Sequence, residues 1–301
     1  MSLRALHDLP APAKLNLFLH ITGRRPDGYH LLESVFVLID WCDTLHIERR
    51  DDKVLRRLDL GALLPEDDLC LRAARALQAA SGARWGADIA IEKRLPSGAG
   101  LGGGSSDAAT VLLALNRLWG LHWPRERLLA LAAGLGADVP FFVFGDNALA
   151  QGIGERLSRS DSALLDLPAG AAVAVLKPPA SIPTASIFAD PRLPRSTPSA
   201  TISGFLERSA LQALAEEPGG LGRNDLQGVA ASVCADVAEA LRHMRAHFGN
   251  ARMTGSGSAV FSRIGNADLS KATWPAGFWP PDWTGRLCRV LPEHPLRRWA
   301  D

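Results

Sequence analysis

From Ala13 to Ile21 the chain alternates. AKLNLFLHI sets Leu15, Leu17, Leu19 and Ile21 on one side and Lys14, Asn16, Phe18 and His20 on the other, the period-two pattern of a strand with one apolar face. The run 31–50, LLESVFVLIDWCDTLHIERR, has the length and apolar content of one or two further strands. At 67–82 the period changes. DDLCLRAARALQAASG repeats its leucines and alanines at helical spacing, with Asp67 or Asp68 as N-cap and Gly82 as the stop. ADIAIEKRL (87–95) returns to strand spacing. A helix follows the glycine-rich stretch beyond it, capped by Ser105 or Ser106 and running through Trp119 to Gly120. Pro124 opens another that reaches about Ala133, and DVPFFVFG (138–145) reads as a short strand.

In the second half AAVAVLKP (171–178) reads as a buried strand and SIPTASIFADPRLPRSTPSA (181–200) as a proline-rich loop. Residues 225–248 hold one or two helices, and ARMTGSGSAVFSRIG (251–265) is a glycine-rich turn leading into a strand. Beyond 265, where Trp274, Trp279 and Trp283 stand among prolines, no element is assigned. The order mixes helices and strands without strict βαβ alternation, which implies an α+β fold. A chain of 301 residues is long enough for two ordinary domains, and the change of pattern near 150–165 puts the division at 1–160 and 161–301.

Composition narrows the function classes. Hydrophobic residues make up 47% of the chain, charged residues 22%, and the net charge is +1, so no broad field attracts nucleic acid or an anionic membrane surface. No leader is visible, and no apolar run approaches the roughly 18 residues of a membrane span. Cys42, Cys70, Cys234 and Cys288 form no CxxC pair and read as reduced, mostly buried thiols of a cytoplasmic protein. The pattern says nothing of oligomeric state.

The candidate chemistry lies in LPSGAGLGGGSSDAAT (95–110), where five of the seven residues from Gly98 to Gly104 are glycine. Gly98, Gly100 and Gly103 satisfy G-x-G-x-x-G, but no acidic residue ends a second strand about 20 positions on, as the dinucleotide fingerprint requires. No lysine follows the last glycine, so the stretch is not a Walker A loop. What remains is a run of backbone N–H groups leading through Ser105 and Ser106 into a helix N-terminus, a seat for phosphate. A flexible surface linker is the plain alternative, and the tight apolar flanks speak against it.

The order P-x-x-x-G-L-G-G-G-S-S-x-A-A, from Pro96 to Ala109, resembles the phosphate loop of the GHMP kinase superfamily. PAPAKLNLFLHI (10–21) and RMTGSGSAVF (252–261) resemble its first and third motifs. KLNLFLHITGRRPDGYHLLESVF, LGADVPFFVFG and SIPTASIFADPRLPR narrow the resemblance to the 4-diphosphocytidyl-2-C-methyl-D-erythritol kinases, over about residues 10–265. The resemblance implies an N-terminal domain like domain 2 of ribosomal protein S5 that binds ATP, and a ferredoxin-like C-terminal domain that helps hold the substrate. The final 30 or so residues are free to pack back on the first domain. The implied reaction moves the γ-phosphoryl of ATP to the 2-hydroxyl of the substrate, with Mg²⁺, in non-mevalonate isoprenoid biosynthesis.

The resemblance also implies roles. Asp138 is the proposed base and Lys14 the cation beside it. Pro96, Gly98, Gly100, Leu101, Gly102, Gly103, Gly104, Ser105 and Ser106 seat the ATP phosphates. Tyr29 and His30, in PDGYH, take the cytosine, with Phe188 as the second slice of a sandwich, and Asn16 and Thr184 add contacts to the small-molecule substrate. Ser105, Ser106 and Asp138 are the candidate Mg²⁺ ligands. Two positions depart from the pattern: Asp68 stands where the family has an adenine-binding Asn, and Asp107 where Asn or Ser is frequent, readable as an acid favoured by the helix dipole. The rival readings are another GHMP-type kinase acting on mevalonate or homoserine, a non-catalytic nucleotide-binding module, and an NAD-dependent enzyme.

Overall fold

The computed structural model describes residues 3–61, 63–159, 170–199, 222–264, 274 and 278–300. The division expected between 160 and 161, and part of the stretch after 265, lie outside the described residues.

Two long strands, β1 (Ala5–Arg24) and β2 (His30–Arg50), pair antiparallel along their whole length. β2 is the hub of the first sheet. Its C-terminal half pairs with β4 (Gly86–Glu92), which carries β3 (Leu55–Asp59), and its N-terminal half pairs with β5 (Ala148–Gly152), which carries β6 (Arg156–Arg159). A second sheet has the order β10-β7-β9-β8, from β7 (Ala172–Lys177), β8 (Arg252–Met253), β9 (Val260–Arg263) and β10 (Thr284–Arg289).

One face of the first sheet packs on α1 (Leu69–Ser81), α2 (Gly103–Leu118), α3 (Arg125–Ala133) and α4 (Val139–Phe144). The other face meets the second sheet: Ala13, Leu15, Leu17, Val35, Val37 and Ile39 pack with Val173, Val175 and Phe261. A third core lies between the second sheet and the helices Gln227–Val233 and Ala235–Phe248. β1 and β2 are therefore covered on both faces, and the side of β1 that carries Lys14, Asn16 and His20 is as buried as its apolar side. A register shift between Asn16 and Leu19 sends both Leu17 and Phe18 into the middle core, which breaks the alternation.

Three local expectations are corrected. DVPFFVFG is the helix α4, not a strand, with a proline in its first turn. Its apolar run is buried on every side, so periodicity alone does not separate the two states. Burying Phe141 and Phe142 stabilises this short helix by roughly 1.5–3 kcal/mol each, where its own propensity would not hold it. The cap of α2 is Gly102, with neither Ser105 nor Ser106 in that position. The 181–200 loop contains a short helix, α5 (Thr184–Ala189). The α1 expectation agrees with the structure: Asp68 accepts from the Leu71 N–H at 3.0 Å, and Gly82 closes the helix.

The chain end returns to the helical side of the first sheet. Leu296 and Ala300 join its core, Arg297 bonds Asp146 at 2.9 Å, and Arg117 stacks its guanidinium on the Trp299 ring.

Candidate active site

The glycine loop links β4 to α2 and lies between two clefts. The larger, about 870 Å³, is lined by Lys14, Asn16, Tyr29, His30, Asp138 and Phe188 among others. The smaller, about 450 Å³, is lined by the loop itself from Pro96 to Ser105 together with Asp68, Lys93 and Asp107. Gly98, Gly100, Gly102 and Ser105 line both. Gly100 (φ +75°) and Gly102 (φ +74°) sit in the left-handed region. A Cβ on Gly100 would lie 2.3 Å from the Thr254 carbonyl oxygen, and one on Gly102 would lie 2.9 Å from the Phe142 ring. The loop is thus pressed against the third motif: Ala259 N–H donates to the Ala99 carbonyl at 3.1 Å and Ser258 N–H to the Gly98 carbonyl at 3.3 Å. Leu101 buries its side chain in the middle core and offers its carbonyl to the Lys14 N–H at 2.9 Å. The start of α2, with its unpaired N–H groups, therefore faces both clefts.

Across the loop, Lys14 Nζ lies 3.5 Å from Asp138 Oδ2 and donates to Asn16 Oδ1 at 2.7 Å. The ammonium also sits 4.8 Å from the Phe36 ring centroid. Lys14 is 4% exposed, whereas the Asp138 side chain is 34% exposed and borders the larger cleft. The two come from distant parts of the sequence: Lys14 from the middle of β1, and Asp138 from the turn that opens α4. The pair sets a cation beside a carboxylate at the rim of the cleft, where the carboxylate oxygen can accept a proton from a bound hydroxyl.

Ser105 and Ser106, alike in sequence, separate here. Ser105 lines the clefts, while Ser106 is fully buried, its hydroxyl turned into the interior and its N–H bonded to the Gly102 carbonyl. The Ser106 side chain therefore reaches neither phosphate nor metal in this arrangement. Asp107 is not an exposed first-turn acid. It is buried, and Lys93 Nζ donates to its Oδ2 at 2.6 Å while also bonding the buried Asp43. Asp43 in turn accepts the N–H groups of Arg94 (2.6 Å) and Leu95 (2.7 Å), anchoring the chain as it enters the loop. Burial is the main cause that pushes the Asp107 carboxyl up to about 7; the Lys93 cation opposes the rise and the Asp43 charge adds to it.

A carboxyl whose value is raised on folding contributes stability that is complete below its unfolded value and is lost as pH rises through its folded value. Wild type is therefore expected to lose stability relative to Asp107→Asn, which cannot ionise, as pH rises from about 4 to about 7. Thermal unfolding of both proteins across that range checks this, and a Tm difference that stays constant with pH contradicts it.

At the far end of the larger cleft, His30 stacks on Phe188, ring centroids 5.0 Å apart at 28°. Tyr29 is 61% exposed at the rim, so the ring facing Phe188 is His30 and not the tyrosine expected to share the sandwich. Burial, helped by the Arg24 and Arg195 charges, lowers the His30 value and favours the neutral ring. Its Nε2 is buried and has no hydrogen-bond partner among the described residues. Thr184, at the start of α5, bonds Ser256 at 2.7 Å and so joins this wall to the third motif. Asp68, besides capping α1, is paired with Arg57 at 3.0 Å.

Residues 68–146 match the family described as GHMP kinases N terminal domain. The chain is 58% identical to the 4-diphosphocytidyl-2-C-methyl-D-erythritol kinase of Methylibium petroleiphilum, with the whole of both chains covered. The chain belongs to the 4-diphosphocytidyl-2-C-methyl-D-erythritol kinase family. A crystal structure of 4-(cytidine 5'-diphospho)-2C-methyl-D-erythritol kinase is similar at a TM-score of 0.76 and 35% identity, covering 94% of this chain and 98% of that one. A homoserine kinase from Cytophaga hutchinsonii, 16% identical with a TM-score of 0.64 over 97% and 96% of the chains, shares the fold.

This family member carries site residues that the sequence reading missed. Lys93 and Asp43 hold the loop from beneath, and the only signal for Lys93 is its place three residues before Pro96. Ser34 and Thr254 bond to Asn16, and both lie inside segments that carry the resemblance. Asn224 donates to the carbonyls of Met253 and Gly255, each at 2.8 Å, and so shapes the third motif; it falls in a stretch with no periodic pattern.

Proposed function

We propose that this small-molecule kinase transfers the γ-phosphoryl of ATP to the 2-hydroxyl of 4-diphosphocytidyl-2-C-methyl-D-erythritol. The observation that carries the reading is the Lys14–Asp138 pair, 3.5 Å apart, at the junction of the phosphate loop with a cleft whose other end holds a stacking aromatic. ATP takes the smaller cleft, its phosphates crossing the loop toward Ser105. The cytidine diphosphate end of the acceptor takes the larger cleft. The acceptor oxygen attacks the γ-phosphorus, its proton passes to Asp138, and the bond to the bridging oxygen of ADP breaks. Lys14, beside Asp138, offsets charge on the phosphoryl in flight. Most of the acceleration comes from this positioning and charge placement, as phosphoryl transfer requires. The first 160 residues supply the nucleotide cleft and much of the acceptor cleft, and the remainder, through Phe188, Thr184 and Ser256, helps hold the acceptor.

Magnesium fits the donor chemistry. Among the described residues no three His, Cys, Asp or Glu side chains gather into a dedicated cage, which suits an ion that keeps water and phosphate oxygens in its shell. Ser105 and Asp138 each present a hard oxygen to the cleft and would hold it. When bound, the ion supplies charge neutralisation on the β- and γ-phosphates. The four free thiols support a cytoplasmic setting; no described helix is long and apolar enough to cross a membrane.

Phe188 supplies the test of the acceptor end. Base stacking on an aromatic ring contributes about 1–3 kcal/mol, so Phe188→Ala is expected to raise KM for the cytidine substrate by about 5–150-fold. KM for ATP should stay within about twofold, because Phe188 lines only the larger cleft. Equal increases in both constants would remove the stacking role.

A further inference from the structure

We infer that Ser34 is a positioning residue for phosphoryl transfer, acting through the side-chain amide of Asn16 to aim the Lys14 ammonium; the inference rests on the catalytic reading of Lys14 and Asp138. Ser34, Asn16 and Thr254 are all buried beneath the larger cleft, at 0%, 1% and 0% exposure. Nothing in the proposed chemistry requires Ser34 to meet a substrate, and it does not line either cleft.

The hydrogens can be counted. The Ser34 hydroxyl donates its single hydrogen to the Phe18 carbonyl, so it can offer only lone pairs to any other neighbour. Asn16 Nδ2 donates to Ser34 Oγ at 2.8 Å. That contact fixes the amide orientation, because turning it over would set an oxygen against the serine lone pairs and an NH₂ against the ammonium of Lys14. With the amide fixed, Oδ1 faces Lys14 Nζ and accepts from it at 2.7 Å. Thr254 reads the same orientation from the third motif. Its hydroxyl accepts the Asn16 N–H at 2.9 Å and lies 3.4 Å from Oδ1 as a donor. Lys14 is thereby held between Asn16 on one side and Asp138 on the other.

The consequence is a division of labour on the polar side of β1. Asn16 has one amide hydrogen left after Ser34 for anything in the cleft, and its oxygen is committed to Lys14 and Thr254. Without the serine, the amide loses the contact that holds Nδ2 in place, so only Lys14 and Thr254 still select its orientation and the Asn16 side chain gains freedom to swing. The ammonium then leaves its line to Asp138 for part of the time. Such a loss falls on kcat and leaves KM for ATP alone, because neither Lys14 nor Asn16 lines the nucleotide cleft.

The experiment is a double-mutant cycle on kcat with Ser34→Ala and Ser34→Cys, each made in the wild-type and Asn16→Asp backgrounds. A carboxylate has no orientation to fix and presents acceptors both ways. Ser34→Ala is expected to lower kcat about tenfold or more in the wild-type background, with KM for ATP within about twofold. In the Asn16→Asp background the same substitution should cost less than about twofold. Ser34→Cys keeps the volume but accepts weakly, and it should follow Ser34→Ala; it answers the question if the alanine variant does not fold. Equal losses in both backgrounds, or a loss confined to KM, would overturn the inference. Lys14→Met assayed alongside separates the two levels. Wild-type kcat in that variant overturns the catalytic reading, whereas a large loss there with none in the Ser34 variants overturns only the role of Ser34.

Discussion

Asp138→Asn is expected to lower kcat by about 10²–10⁴-fold while leaving the fold and KM for ATP close to wild type. The asparagine keeps the shape of the side chain and its place at the turn before α4, so packing of Phe141 and Phe142 is undisturbed. What it loses is the charge and the ability to take a proton. Lys14, 3.5 Å away and nearly buried, is then left facing a neutral amide, while its hydrogen bond to the Asn16 oxygen stays. Lys14→Met should produce a loss of the same order, since it removes the cation beside Asp138 that offsets charge on the transferring phosphoryl. The two together should cost little more than either alone, because they act as one unit. Steady-state kinetics with thermal unfolding as a control checks this. Turnover near wild type in Asp138→Asn would take Asp138 out of the chemistry.

Gly100→Ala is expected to disable the protein by a different route. The residue holds a left-handed conformation that costs an L-residue about 1–2 kcal/mol, and its added Cβ would sit 2.3 Å from the Thr254 carbonyl oxygen. That oxygen belongs to backbone, which cannot swing aside as a side chain does. Overpacking of this kind costs about 1–3 kcal/mol, for a combined loss of roughly 2–5 kcal/mol. The damage is aimed at the contact between the phosphate loop and the third motif, so KM for ATP should rise along with the drop in Tm. Gly104→Ala is the control within the same loop. Its nearest neighbour would be Leu69 Cδ1 at 3.8 Å and it lies in α2, so alanine there should stabilise by about 0.5–1 kcal/mol. A Gly100→Ala protein as stable as Gly104→Ala would show that the loop does not need the close approach.

Much of this was legible in the chain, for reasons that differ by residue. The strand of Lys14, the caps at Asp68 and Gly82 and the glycine-rich loop that leads into α2 all follow from local rules, because period, cap chemistry and glycine content act over a few residues. The burial of Lys14 and Asn16 was not legible. A polar face on an alternating strand reads as solvated, and here two layers of structure cover both faces of β1. DVPFFVFG failed as a strand because an apolar run buried all round carries no period. Ser105 and Ser106 look equivalent in sequence, yet successive helical positions point about 100° apart, and only one faces the cleft. Asp107 and Lys93 are fourteen residues apart, and no local pattern ties a first-turn acid to a lysine in the preceding strand connection. The pairing of His30 with Phe188 depends on the PDGYH loop and α5 meeting in space, which sequence proximity cannot give.

The most direct measurement of the central claim is ADP formation from ATP with purified protein, offered 4-diphosphocytidyl-2-C-methyl-D-erythritol, mevalonate, homoserine or no acceptor. The account predicts ADP release only with the cytidine diphosphate substrate, matched one for one by its 2-phosphate. Release at equal rates without that acceptor, or with mevalonate or homoserine in its place, would contradict it.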